Sequence, residues 1–289
     1  MHRPPRILAS LLIAALPALG LTVGLSTAAN ASSVSAAAGP TPSQAEASAI
    51  AVIRSLEVGQ HGTDQRLPGA SDVSGQGQVQ STNWSGYADT GSNFSTVTGA
   101  WTEPGASCSR GSTTYAAFWV GIDGYSSDSV EQDGTLIECY RGTAYQYSWW
   151  EMYPTNDIQV VGESLAAGDS ISASVVRSGD SYTLSVTDST HSANSFTTTQ
   201  TCSGCDNSSA EWIAEAPCCT NSGGILPLAD FGSWTESGAT VTEGSTSGVI
   251  SSFTDDEITM VDNSGRVKAL PGSLNSAGSG FSDTWERSS

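Results

Sequence analysis

The sequence predicts an all-β protein, a sandwich or a closed barrel, on three observations. From Thr82 onward, short runs rich in Val, Thr, Tyr and Trp alternate with Gly/Ser/Asp/Asn turns. The spacing of those turns suits many short strands, and helical periodicity is almost absent. Taken in order, "NWSGYA" and "NFSTVTGAW" are two strands joined by a turn at Asp89-Thr90-Gly91, residue types that favour turns. "YAAFWVGIDG", "TLIECY" and "AYQYSWWEMYP" are three further strands, and "SISASVVRSGDSYTLSVTD" is the clearest hairpin, turning at Ser178-Gly179-Asp180. "SFTTTQTC", "AEWIAEAP" and "ADFGSWTESGATV" follow, and Phe281 and Trp285 are suited to pack an end strand. No internal repeat of fixed period is present.

The chain does not begin in this way. "MHRPPR" is basic, Ile7–Leu25 is apolar, and "ANA" ending at Ala31 has the small side chains of a cleavage site, so residues 1–31 read as a secretory signal peptide. The apolar run approaches spanning length, which makes a retained anchor the alternative; Pro17 and the small-residue end favour cleavage. Residues 32–80 are rich in Ala, Ser, Gly, Gln and Pro, with one short helical stretch expected around Ala45–Leu56. They read as a propeptide or linker. The folded domain is then expected over 81–289, exported and outside the membrane.

The formal net charge is −19, and all but four of the 29 acidic residues lie beyond residue 80. Nucleic acid and anionic lipid need basic patches, so neither is an expected partner. The balance suits an acidic medium, where protonation relieves self-repulsion. Six cysteines, Cys108, Cys139, Cys202, Cys205, Cys218 and Cys219, are an even number in an exported chain and read as disulfides. Cys108 with Cys139, and Cys202/Cys205 with Cys218/Cys219, are the local closures expected. Zinc at "CSGC" is the weaker reading, because "CC" lacks ligand spacing and only His191 follows residue 61.

The chemistry narrows by elimination. A serine or cysteine nucleophile needs a basic partner, and His191 sits in a polar turn as a surface residue. "ADTGS" imitates an aspartic-peptidase loop, but no second such loop exists to share a proton. "DGYSSDSVEQD" holds oxygen ligands without the pattern of an EF-hand. What remains is carboxylates, an amide and aromatic rings. Strand parity places Tyr145, Tyr147, Trp149, Glu151 and Tyr153 on one face. A carboxyl group among four rings is desolvated and suited to hold or release a proton. Alone, that pattern fits a sugar-binding platform as well as a catalytic cleft.

The ordered set "NWSGY", "FWVGIDG", "VEQDGT", "YSWWEMYP", "SAEWIAE" and "LADFGS" resembles the glutamic peptidases, or eqolisins. The resemblance implies a sandwich of two bent antiparallel sheets, of jelly-roll or lectin-like form. It implies that Gln132 and Glu215 are catalytic, with Glu215, not Glu211, the reacting member of its pair. Glu211 is left as a supporting or solvated group. It further implies that Trp84, Trp119, Asp123, Trp149, Glu151 and Tyr153 line a substrate cleft. Tyr147 stands where fungal members carry an aspartate. The activity implied is a secreted, monomeric acid endopeptidase acting on protein and peptide substrates with no cofactor or metal. The alternatives are a carbohydrate-binding β-sandwich and a glycoside hydrolase using Glu151 and Glu215.

Overall fold

Each strand read from the sequence is a strand in a computed structural model that describes residues 63–65, 78–162, 164–217 and 224–289. The expected signal peptide, the short helix near Ala45–Leu56, and Cys218 and Cys219 lie outside the described residues. Among those described there are sixteen strands. The first seven are β1 (Gln78–Ser81), β2 (Trp84–Thr90), β3 (Phe94–Thr102), β4 (Thr114–Ile122), β5 (Val130–Tyr140), β6 (Thr143–Tyr153) and β7 (Asn156–Gly162). Then come β8 (Ser170–Ser178), β9 (Ser181–Asp188), β10 (Phe196–Thr201), β11 (Ser209–Glu215) and β12 (Ser233–Glu243). The last are β13 (Thr246–Gly248), β14 (Thr254–Val261), β15 (Val267–Pro271) and β16 (Phe281–Trp285).

They form two antiparallel layers. One runs β10-β9-β8-β3-β12, the other β16-β15-β14-β2-β11-β4-β5-β6-β7. Only β1, which pairs with β14, is parallel to its neighbour. Strand β12 belongs to both layers: Ser233–Glu236 pair with β16, whereas Ser237 onward pairs with β3. The change of sheet coincides with a register shift between Ser237 and Thr240, where Gly238 takes φ 64°. That left-handed conformation suits glycine and lets the strand bend at a sandwich corner.

Between the layers lies the main core. Val97, Trp101, Ile171, Val175, Leu184 and Val186 come from the shorter sheet, and Phe118, Val120, Ile137, Trp212 and Ala214 from the longer. Trp234 joins them, stacked on Phe118 at 5.3 Å and edge-on to Trp101 at 5.9 Å. Each large side chain so buried stabilises the fold by roughly 1.5–3 kcal/mol. Strands β4, β5 and β11 are buried on both faces, because a second cluster covers their other side: Trp84, Trp119, Leu136, Tyr147, Trp149 and Ile213. Double burial explains why these three read as apolar runs rather than strict alternation.

The cysteines correct one expectation. Cys108 bonds Cys139, as foreseen, with Cα atoms 5.2 Å apart. Cys202 bonds Cys205, not Cys218 or Cys219. The turn after β10 brings the Cα atoms of Cys202 and Cys205 to 5.8 Å, within disulfide reach, so the "CSGC" spacing closes on itself.

Candidate active site

The second cluster, on the outer face of the long sheet, is where the polar residues singled out from the sequence come together. Gln132 on β5 lies opposite Gly121 on β4 and opposite Glu151 on β6. Glu215, the last residue of β11, lies opposite Ala117 on β4 and opposite Trp84 on β2. The amide and the carboxyl therefore rise from the two strands that flank β4. Gly121, Trp119 and Ala117 alternate along one face of β4, so both groups share that face. Both are fully buried.

Trp119 occupies the space between them. Its indole N–H donates to Oε2 of Glu215 at 2.9 Å. Its six-membered ring lies over Gly121: a methyl group there would stand 2.8 Å from the ring and 3.3 Å from Cβ of Gln132. The indole thus reaches from the Glu215 carboxyl to the foot of Gln132, and only glycine at 121 leaves it room. Trp84 packs edge-on against the same indole, with centroids 4.9 Å apart at 76°. Opposite Trp119, Gly134 lets β5 approach closely, since a side chain there would fall 2.0 Å from the carbonyl oxygen of Phe118.

Gln132 is held from its far side. Its Nε2 donates to Oε2 of Glu151 at 2.8 Å. A carboxylate only accepts, so this contact fixes which end of the amide faces β6. Trp149 and Tyr147 continue the same face of β6, fully buried, and Tyr153 closes it half-buried. The parity read from "YQYSWWEMY" is the parity of the folded strand.

Two further carboxyl groups named from the sequence are also fully buried. Asp123 directly follows the last residue of β4. It accepts from the backbone N–H groups of Asn207 (2.7 Å) and Ser208 (2.8 Å) and from the Ser208 hydroxyl (3.0 Å). It pins the loop that leads into β11, and so sets where Glu215 begins its approach. Glu211 is not solvated. It is fully buried, and burial, followed by the nearby Asp123, Glu131 and Asp89 carboxylates, pushes its carboxyl well above the usual range. Parity placed Glu211 on the face of Glu215, but no sequence pattern showed that this face would be covered.

Asn83 was quoted in a motif without being given a role. It is fully buried, and its Nδ2 lies 3.5 Å from Oε1 of Glu215. Its carbonyl accepts from Ala216 N–H at 2.8 Å, tying the start of β2 to the end of β11. The hydroxyl of Ser81 donates to its Oδ1 at 2.9 Å, which orients the amide. Its only sequence signal was its place directly before Trp84.

The same residues carry a family signature. The sequence pattern of the Peptidase A4 family matches residues 82–271, more than half of the chain. The chain belongs to the Peptidase A4 family. The six ordered motifs from "NWSGY" to "LADFGS" all fall within the matched A4 region. Aspergillopepsin-2 of Aspergillus niger is 29% identical over 189 residues, covering 57% of this chain and 65% of that protein. Scytalidopepsin B of Scytalidium lignicola is 35% identical over 99 residues, covering 34% of this chain and 36% of that one. The chain thus spans less than two thirds of the length of either relative. In three dimensions it is similar to scytalido-glutamic peptidase with a transition state analog inhibitor, at a TM-score of 0.61 and 22% identity, over 71% of this chain and 98% of that one. That likeness establishes the A4 fold, a sandwich of bent antiparallel sheets.

Proposed function

We propose that the protein is an acid endopeptidase that hydrolyses peptide bonds with Glu215 and Gln132 and an activated water. The observation that supports this best is the shared face of Glu215 and Gln132, bridged by the Trp119 indole. The Glu215 carboxylate takes a proton from a water molecule, and the resulting hydroxide attacks the peptide carbonyl. Gln132 gives an N–H to the oxyanion that develops; its other N–H is engaged by Glu151. Protonated Glu215 then passes its proton to the leaving nitrogen. One well-aimed oxyanion donor lowers the barrier by about 3–4 kcal/mol, and positioned proton transfer adds roughly 10²–10⁴-fold. An amide suits the oxyanion role in acid because it has no charge to lose and keeps its donors.

The surrounding groups support the same chemistry. Trp119 and Asn83 hold the two carboxyl oxygens of Glu215. Glu151 holds Gln132, which leaves Glu151 less suited to act as one of a glycosidase carboxylate pair. In this reading the chain is made for export: residues 1–31 direct secretion, residues 32–80 are removed, and the domain works as a monomer.

The test is direct. The purified protein is incubated with denatured protein at about pH 3–4, where such acid–base groups operate, and new peptides are sought by mass spectrometry. New internal cleavages are expected, with no retention on insoluble polysaccharide. Intact substrate together with polysaccharide binding overturns the reading in favour of a carbohydrate module.

A further inference from the structure

Beside Glu215 the chain already holds a short piece of itself. Thr63-Asp64-Gln65 runs along Asn83 and Gly124, and four of its own backbone groups are bonded there. The Asp64 N–H donates to the Gly124 carbonyl at 2.9 Å, and the Gln65 N–H donates to Oδ1 of Asn83 at 2.9 Å. The Gln65 carbonyl accepts from the Thr82 N–H at 2.9 Å and from the Thr82 hydroxyl at 3.2 Å. The Thr63 carbonyl lies 3.5 Å from Nδ2 of Asn83, the same nitrogen that lies 3.5 Å from Oε1 of Glu215.

Contacts of this kind read a main chain and ignore side chains, as an endopeptidase cleft must if it is to take peptides of varied sequence. The cradle is built for close approach. Gly124 adopts φ 99°, and a side chain there would meet Val130 at 2.9 Å and the Trp84 ring at 3.0 Å. Glycine is therefore needed to bring that carbonyl up to the cluster. Asn83 is pre-oriented by the Ser81 hydroxyl.

We propose that Asn83 and the Gly124 carbonyl form a clamp for the backbone of an extended peptide next to Glu215, and that Thr63–Gln65 fills this clamp in the unprocessed chain and excludes substrate. Asn83 is then a positioning residue: its Oδ1 accepts from the bound backbone, and its Nδ2 stands between a backbone carbonyl and the Glu215 carboxyl. The proposal rests on the peptidase reading for the use of the clamp, but not for its existence.

The experiment uses the full-length chain carrying Glu215→Gln, so that the strap is not cut away, and measures binding of a fluorescein-labelled, unstructured peptide of about ten residues, long enough to span an extended site. Asp64→Pro and Gln65→Pro together delete both strap N–H donors. They are expected to tighten peptide binding by about tenfold, the effect of losing one or two competing hydrogen bonds. Adding Asn83→Asp, which keeps size and acceptor but removes the amide donor, is expected to reverse the gain; Asn83→Ala is the second variant, with folding followed by circular dichroism. Equal affinity with and without the prolines, or indifference to both Asn83 variants, overturns the clamp. Absence of proteolysis by the wild-type chain sinks the peptidase reading while leaving this binding result to stand or fall by itself.

Discussion

The indole N–H of Trp119 donates to Oε2 of Glu215 across 2.9 Å, from the strand that separates Glu215 from Gln132. This one bond does two things. It fixes the rotamer of a fully buried carboxyl, and it places the tryptophan ring so that its far edge borders Gln132 over Gly121.

Replacing Trp119 by Phe keeps the ring packing against Trp84 but deletes the donor. A hydrogen bond to a charged group contributes about 1.5–3 kcal/mol. Because the bond is already made in the free protein, the rate effect comes from lost positioning of the carboxyl: kcat/KM is expected to fall by up to roughly 100-fold, the cost of a catalytic group misplaced by about 1 Å. Steady-state kinetics on a peptide substrate, with the melting temperature as control, measure this.

Gly121→Ala tests the same relationship from its other end. The new methyl would stand 2.8 Å from the indole and 3.3 Å from Gln132 Cβ. Overpacking of this kind costs about 1–3 kcal/mol, and the ring is expected to tilt away from Glu215. Activity should fall by more than stability does. A variant as active as the parent would mean that the indole does not set the spacing of the pair.

The buried carboxyl groups predict how stability depends on pH. Desolvation is the leading cause in each case: Glu103 is pushed up to about 8, Glu131 to about 9, and Glu138 and Asp283 to about 7. In the unfolded chain the same groups ionise near pH 4. Below that pH both states are protonated, and the fold keeps its full stability. Between about pH 4 and these raised values the unfolded chain loses protons that the native one retains, so each group removes about 1.4 kcal/mol per pH unit. Melting temperature should therefore be highest in acid and fall steeply from about pH 4 towards pH 7–9, with less loss in Glu103→Gln. A melting temperature that rises over that window contradicts the assignment.

Much of this was legible in the sequence, and the residues show why. Alternation in "YQYSWWEMY" fixed the face that carries Trp149 and Glu151, because a strand has only two sides. The motif order picked out Gln132 and Glu215. Asp123 was read as part of the cleft because the same short motif that holds Trp119 ends in it. Its bonds from Asn207 and Ser208 depend on a loop more than eighty residues away, which no local pattern reveals. Which of its two readings, supporting or solvated, Glu211 would take was open for a related reason. Parity gives the face, but what covers that face is decided by strands distant in sequence. The pairing of Cys202 with Cys205 depended on the turn geometry after β10, which spacing alone leaves open.

The central claim is that Glu215 moves the proton and Gln132 holds the oxyanion. The most direct measurement is initial-rate hydrolysis of a peptide substrate in acid by Glu215→Gln and Gln132→Ala proteins whose circular dichroism and melting temperatures match the parent. The account predicts that Glu215→Gln loses about 10⁴-fold or more, combining its base and acid roles, and that Gln132→Ala loses about 10²–10³-fold. Turnover within a factor of about ten of the parent in either folded variant, too little to lose for groups in these roles, would contradict it.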